Sequence, residues 1–413
     1  MKILILGGGV SGIAAKRLAD LLGFENEVVS DKDGKVIDFA AVELLVVSPG
    51  VGEASPILQA ALKLEIEVIS ELEFGFRHLP KAVQLLSITG TNGKTTTTEL
   101  TTHILQGLGK NACFAGNIGL PLSDVAADLI EGKIAENLVV AVEVSSFQLE
   151  RVRDYSSQAA VILNVESDHL NRYHGSFELY RQTKLKIFDG VADKQNCFWG
   201  FTSPDYREKL INVKNDEIFY CGNKLFNYSE LKIKGEHNLE NLVAALELTA
   251  SVCLPKEMTS QELKNLVKSF NSGRHRLENV ENSLGLTVIN DSKATNSAST
   301  IAAIKSVAEE GKCNIRLILG GLDKDMDFSP LRDYMKFVKK SYLIGEAQNK
   351  FYQLLSDIVD CEKFADFEVM VKTIKQESNP TEIILFSPAC ASMDMFLNYK
   401  DRGDRFIALI QAE

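Results

Sequence analysis

The chain has 413 residues, 45% hydrophobic and 24% charged, with 28 Gly and 9 Pro. That balance belongs to folded globular protein and excludes a disordered, collagenous or coiled-coil chain. A formal net charge of −11 disfavours diffuse binding to nucleic acid or anionic membrane, and no apolar run reaches the roughly 18–20 residues that span a bilayer.

At about 150 residues per domain, the length predicts three domains. The opening stretch Met1–Gly7 is too short and too glycine-bound for a signal peptide. Seven scattered cysteines without a CxxC pair fit a reducing cytoplasm rather than a disulfide or zinc framework. Strand-like apolar runs alternate with helical stretches, which predicts parallel α/β architecture. The first block has strands near Lys2–Gly7, Glu27–Asp31, Leu44–Ser48 and Glu67–Ser70. Its Gly7-Gly8-Gly9-Val10-Ser11-Gly12 follows a strand, and Asp31 ends the next, as in a dinucleotide fingerprint. An NAD-dependent oxidoreductase is one reading of these glycines. Against it, the block is only about half of a full dinucleotide fold, and a second nucleotide loop follows.

The second block opens with the strand Leu85–Thr89 and runs through Leu138–Val144 and Ala159–Val165. Shorter strands without long crossovers are expected at Gln195–Gly200, Glu217–Cys221 and Tyr228–Lys234, then a helix over Asn238–Val252. Between strand and helix stands Gly90-Thr91-Asn92-Gly93-Lys94-Thr95-Thr96, a short phosphate loop. Its backbone N–H groups would face phosphate oxygens, Lys94 would neutralise the β/γ-phosphates, and the Thr95 hydroxyl would hold Mg²⁺. This says nucleoside triphosphate but not which reaction; a switch or motor NTPase, a kinase and a ligase all use such loops.

Glu143 is the one acid in the apolar run Leu138–Val144. A buried carboxylate there needs a partner or a metal, and with Thr95 it would complete an oxygen shell for Mg²⁺. His169 follows the next strand. In Ser176–Gly190, helical periodicity puts Phe177, Tyr180, Ile187 and Phe188 on one face with Lys184 among them. Lys184 either snorkels to solvent or is a desolvated amine of lowered pKa, able to take up CO₂ as a carbamate. The third block begins after Phe270-Asn271-Ser272-Gly273, with strands at Leu286–Asn290, Ile315–Leu319, Ser341–Ile344 and Glu382–Phe386. Polar clusters sit at the strand ends in all three blocks, where open α/β sheets bind ligands.

Taken together, the phosphate loop, Gly116-Asn117-Ile118-Gly119, Glu143-Val144-Ser145-Ser146-Phe147-Gln148, Asp168-His169, Gly235-Glu236-His237-Asn238, His275-Arg276, Asn290–Asn296 and Ser387–Ser392 resemble the Mur ligase family essentially end to end. The phosphate loop, Glu143, His169, Lys184 and His275-Arg276 are shared with folylpolyglutamate synthases, so an amide ligase for a different amino acid is the alternative. The third-block strings resemble the D-glutamate-adding members. The resemblance implies three domains: a Rossmann-like UDP-sugar domain (1–81), a P-loop ATPase-like centre with a parallel sheet and a small β extension (82–272), and a Rossmann-like amino-acid domain (273–413).

It also implies a cytoplasmic, monomeric, ATP-dependent ligase acting on UDP-N-acetylmuramoyl-L-alanine and D-glutamate, with two Mg²⁺ sites that Mn²⁺ could fill. Lys94, Glu143, His169 and Lys184 are then the catalytic residues. Thr95, Glu143, His169 and carbamylated Lys184 serve the metals. ATP falls to Gly90–Thr96 (Gly90, Thr91, Asn92, Gly93, Lys94, Thr95, Thr96), His237, Asn238, Asn241, Arg276 and Asp291. The UDP-sugar falls to Gly9, Val10, Ser11, Asp31, Ser48, Pro49, Gly50, Asn117, Ser145 and Gln148. D-Glutamate falls to Lys293, Thr295, Lys324, Ser392, Met393 and Tyr399. Departures from the family pattern are Leu322-Asp323 before Lys324, Arg274 before His275, and Tyr399 where Phe is common.

Overall fold

The computed structural model describes residues 1–34, 37–200, 211–232, 235–270, 273–323 and 326–412. It groups the chain into two compact units. One holds Met1–Lys232 and Asn238–Phe270, and the other holds Ile233–His237 and Asn271–Glu413. Three mainly parallel sheets are laid down in chain order; their central strands are apolar runs buried on both faces, while edge strands are partly exposed.

The first sheet contains β1 (Lys2–Leu6), β2 (Glu25–Val29), β3 (Val42–Val47) and β4 (Glu67–Ser70), in the order β2-β1-β3-β4. Ile3, Leu4, Ile5 and Leu6 are all essentially inaccessible, each contributing about 1.5–3 kcal/mol by burial. Helices α1 (Val10–Leu21), α2 (Pro56–Lys63) and α3 (Glu71–Arg77) pack on it.

The second sheet has order β6-β7-β5-β8-β9, from β5 (Gln84–Thr89), β6 (Ala112–Gly116), β7 (Val139–Glu143), β8 (Ala159–Ile162) and β9 (Cys197–Trp199). Its helices are α4 (Lys94–Gly107), α5 (Leu122–Ile130), α6 (Ser146–Leu149) and α7 (Phe177–Leu185). Register sets Glu143 opposite both Ile88 and Gly116, and Ile162 opposite Thr89. The loops after β5, β6, β7 and β8 therefore leave one edge together. A three-stranded antiparallel sheet follows, β10 (Ile211–Lys214), β11 (Glu217–Tyr220) and β12 (Asn223–Asn227), then α8 (Glu236–Ala250), α9 (Pro255–Met258) and α10 (Gln261–Ser269).

Two expectations are corrected here. The strand expected at Tyr228–Lys234 is instead a 3-10 turn at Tyr228–Glu230 after β12; residues 233–234 lie outside the described residues. The segment at Gln195–Gly200 is a strand as expected, β9, but not one without a long crossover, since it joins the main sheet parallel to β8 through the α7 crossover.

The first and second sheets are fastened through α1, α3 and α5. Arg17 of α1 bonds to Asp124, Asp128 and Glu131. Glu73, fully buried, accepts the backbone N–H groups of Arg153, Asp154 and Tyr155. Gly75 is required by close approach, because a Cβ there would stand 2.5 Å from the Ser123 nitrogen.

Beside it, Glu71 Oε1 accepts the Ser123 N–H at 2.7 Å while Oε2 is buried without a partner. Burial pushes the Glu71 carboxyl from 4.5 up to about 7. The unfolded chain therefore loses this proton from about pH 4.5, while the fold keeps it until about pH 7. Stability is full below the lower value and is lost as pH rises through the upper one, by roughly 3 kcal/mol. Glu71→Gln keeps the Ser123 contact without the charge. It is expected to raise the melting temperature at pH 8 relative to the parent and to change it little at pH 5. A difference independent of pH in thermal melts would contradict this.

The third sheet, in the second unit, has order β13-β14-β18-β15-β16-β17. Its strands are β13 (Glu278–Asn279), β14 (Thr287–Asn290), β15 (Ile315–Gly320), β16 (Val338–Ile344), β17 (Asp360–Phe364) and β18 (Ile383–Phe386). β13 runs antiparallel and the other pairings are parallel. Helices α11 (Ser297–Val307), α12 (Gln348–Leu355), α13 (Phe367–Glu377) and α14 (Tyr399–Gln411) complete the unit. No helix among the described residues is long and apolar enough to cross a membrane.

Candidate active site

The loop after β5 turns on two glycines. Gly90 has φ +156° and Gly93 φ +84°, and a Cβ on Gly93 would lie 2.1 Å from Asn241 Oδ1. Side chains are thus excluded by backbone conformation and by space. Asn164, just past β8, holds the loop in shape: its carbonyl accepts from Thr91 N and its side-chain oxygen from Asn92 N, at 3.0 and 2.9 Å. Asn241 of α8 accepts from Thr97 and donates to Asn238. The structure thereby brings Asn238 and Asn241 against the first turn of α4.

Lys94 opens α4 and curls back, donating to the Gly90 and Thr91 carbonyls at 2.8 and 2.9 Å. Lys184 meets it there, donating to the same Gly90 carbonyl at 2.8 Å. Of the two expectations for Lys184, burial is the outcome. The residue is 1% exposed, its amine lies 4.8 Å from the centre of the Tyr180 ring, and Thr89 Oγ1 is a further acceptor. Burial, reinforced by the nearby Lys94 charge, holds its amine well below the usual lysine value, against the pull of Asp168 and Glu143.

Glu143 is 2% exposed and accepts from Thr95 Oγ1 at 2.6 Å and from Asn117 Nδ2 at 2.8 Å. Two hard oxygens, one charged, thus stand together at the start of α4. Mg²⁺ takes one or two protein oxygens and completes its octahedron with phosphate and water, so this donor pair fits it. Among the described residues no group of three or more His, Cys, Asp or Glu is arranged to hold a metal.

His169 follows β8 in the left-handed region at φ +54°. Its Nε2 is 3.6 Å from Asp168 Oδ2, and its ring packs against Phe147 of α6. Ser145 and Gln148 bond to each other in a capping box at the start of α6. The loop residues Asn164, Glu166 and Asp168, with Tyr180, belong to this cluster although no role was read for them. Glu166 accepts from Asn92 at 2.8 Å, and Thr91 Oγ1 meets Tyr180 OH at 3.1 Å. For the three loop residues the signal was available as a run of polar residues directly after a buried strand.

At the first sheet, Gly7 (φ +107°) and Gly12 admit close backbone approach, a Cβ on Gly12 falling 1.8 Å from the Gly7 carbonyl. Ser48 Oγ donates to that carbonyl at 3.1 Å, Gly9 caps α1, and Val10 is 72% exposed. Pro49 and Gly50 follow Ser48 at the end of β3. Asp31 Oδ1 accepts from Ser55 Oγ and Ile57 N, so its carboxylate is engaged with the start of α2.

In the second unit, Asp291 is buried and accepts from Ser387 Oγ at 2.8 Å and Leu277 N at 3.4 Å. Burial pushes it up to about 7, with Arg276 among the groups opposing that shift. The Lys293 amine lies 5.1 Å from the centre of the Tyr399 ring. Thr295 precedes the cap of α11, Ser392 is buried and Met393 is 63% exposed. Lys324 lies outside the described residues. A brace missed by sequence reading is Arg402, 2% exposed, which donates to Ser292 Oγ and to the Ser292 carbonyl at 3.0 and 2.7 Å. It fixes the turn between Asp291 and Lys293.

Comparison with known proteins bears on this arrangement. The family model described as Mur ligase middle domain matches residues 88–228, and that described as Mur ligase, glutamate ligase domain matches 275–390. The UDP-N-acetylmuramoylalanine--D-glutamate ligase of Aquifex aeolicus is 33% identical, covering 100% of this chain and 99% of its own. That of Geobacter metallireducens is 35% identical over 96% of this chain and 88% of its own. Among solved structures, a UDP-N-acetylmuramate-alanine ligase from Thermotoga maritima superposes with TM-score 0.60 at 18% identity, over 99% of this chain and 98% of that one. The MurF ligase from Thermotoga maritima in complex with ADP gives 0.62 at 15%, over 91% and 96%. At those identities the structures speak for the fold alone.

Proposed function

The chain belongs to the Mur ligase family, and from that premise we infer that it joins D-glutamate to UDP-N-acetylmuramoyl-L-alanine at the expense of ATP, a step of peptidoglycan synthesis. The observation that carries this is the end-to-end match, at about one third identity, to ligases named for that reaction.

A carboxylate is a poor electrophile. Attack of a carboxylate oxygen of the L-alanine end on the γ-phosphorus breaks the β,γ-bridge, releases ADP and leaves an acyl phosphate. The free amine of D-glutamate then adds to the acyl carbon, loses a proton, and expels inorganic phosphate as the amide forms. Lys94 would leave the Gly90 and Thr91 carbonyls for the β- and γ-phosphates and stabilise charge spread over the transferring group. Thr95 and Glu143 would hold Mg²⁺, which supplies charge neutralisation at the phosphates. Asn117, Ser145 and Gln148 are assigned to the sugar-nucleotide substrate. The bonds between Ser145 and Gln148, and that of Asn117 to Glu143, fix these side chains beside the ends of β6 and β7. Lys293 would bind an incoming carboxylate, with Tyr399 beside its amine.

The test is ADP formation in the presence of Mg²⁺. It is expected to require UDP-N-acetylmuramoyl-L-alanine and D-glutamate together. ATP hydrolysis that proceeds equally without any amino acid would favour a switch or motor NTPase instead.

A further inference from the structure

His169 stands at the end of a chain of contacts that the proposed chemistry does not itself require. The Phe147 ring lies 4.9 Å from the His169 ring, tilted by 60° so that edge meets face. Over Phe147 sits the Arg172 guanidinium, 4.5 Å from the ring centre. Arg172 is fixed in turn by Glu150, whose two oxygens accept from Nε and Nη2 at 2.8 and 2.6 Å. The two side chains are only 15% and 13% exposed.

The same Arg172 donates its backbone N–H to the His169 carbonyl at 2.9 Å. The residue thus holds the histidine twice, by its backbone and through the phenylalanine ring. Glu150 is itself tied down, its carbonyl accepting from Lys186 Nζ at 3.0 Å. His169 adopts φ +54°, a left-handed conformation uncommon outside glycine. A simple surface ion pair would explain none of this convergence on one imidazole.

We propose that Phe147, Arg172 and Glu150 are positioning residues that hold the His169 imidazole at the edge of the second sheet. The inference rests on the reading of His169 as a site residue and adds how its ring is aimed. A guanidinium can make both carboxylate bonds and lie flat on an aromatic ring at once; an ammonium cannot. Charge alone is therefore insufficient, and Arg172→Lys is the informative change.

In the full-length enzyme, Arg172→Lys is expected to lower kcat about tenfold while KM for ATP stays within about twofold, as for loss of groups that orient a reacting residue. A second readout does not depend on turnover. With ¹³C-labelled histidine, the His169 ring signal is identified by its loss in His169→Gln. It is expected to shift in Arg172→Lys and in Phe147→Leu, and to stay in place in Arg181→Lys, whose guanidinium covers Trp199 instead. Should Arg172→Lys fold poorly, Phe147→Leu carries both readouts. An unmoved ring signal, or a kcat within about twofold of the parent while His169→Gln is inactive, would overturn the proposal. A fully active His169→Gln would instead overturn the reading of His169 and with it the catalytic purpose of the brace.

Discussion

Lys94→Ala is expected to release no measurable ADP or phosphate with both co-substrates present, while binding UDP-N-acetylmuramoyl-L-alanine as the parent does. Preorganised donors at a transferring phosphate are worth about 10²–10³-fold each in rate. Lys94 is the first residue of α4 and follows directly on the loop's last glycine. The bonds it donates to the carbonyls of Gly90 and Thr91 are local ones that a substituted loop can lose without unfolding the sheet. The glycines assigned to the sugar nucleotide, by contrast, sit at strand ends of the first sheet, Gly9 after β1 and Gly50 after β3. Isothermal titration with the sugar nucleotide separates the two effects. Loss of sugar binding together with activity would mean that the variant is misfolded, and retained phosphate release would remove Lys94 from the mechanism.

Lys184→Ala is also expected to be inactive, and to regain part of its activity with formate or acetate. The amine is buried beside Lys94 and shares its acceptor on Gly90. Burial first, and the Lys94 charge second, favour its neutral form. A neutral amine can attack CO₂, forming a nitrogen–carbon bond and shedding a proton, which turns an uncharged group into an anion next to the ammonium of Lys94. Truncation to Ala opens a buried void where a small carboxylate could stand in for that anion. Rescue by short amines rather than acids would show that an ammonium is what the site needs. Inactivity that neither restores would leave the carbamate reading without support.

What could be read from the residues differed by kind. The phosphate loop was legible because its geometry is local: a strand, two glycines in unusual backbone conformations and a helix start must occur in that order, and β5, Gly90, Gly93 and α4 do. The burial of Lys184 was legible as a cation interrupting an apolar helical face. The same signal was present and unused in α14, where Arg402 lies one turn from the buried Phe406 and two from Ile410. Its bond to Ser292, 110 residues earlier, is a tertiary fact that no periodicity contains. β6 was missed because Ala112-Cys113-Phe114-Ala115-Gly116 has no β-branched residue. Its strand conformation comes from pairing with β7 rather than from propensity. Tyr228 misled in the opposite sense, an aromatic residue that reads as strand but sits in a 3-10 turn.

The site residues divide along the same line. Thr95 and Glu143 could be paired from sequence, as a phosphate-loop hydroxyl and a lone acid near the end of a buried strand, while the register that joins them is a fact of the fold. The contacts around His169 could not, because Phe147, Glu150 and Arg172 are joined by loop geometry. The net charge of −11 was similarly silent about the site, for the substrates proposed are anions and the cations that would meet them are few and local. Lys94, Lys293 and Arg276 lie at strand ends.

The central claim is that this chain adds D-glutamate and not another amino acid. The direct measurement is ADP release from ATP with UDP-N-acetylmuramoyl-L-alanine and a panel of amino acids, the product masses being read in parallel. The expected result is turnover with D-glutamate, a product heavier by one glutamyl residue, and little turnover with L-glutamate, L-lysine or a diamino acid. Equal turnover with L-lysine or a diamino acid would contradict it and make the chain an amide ligase of a different acceptor.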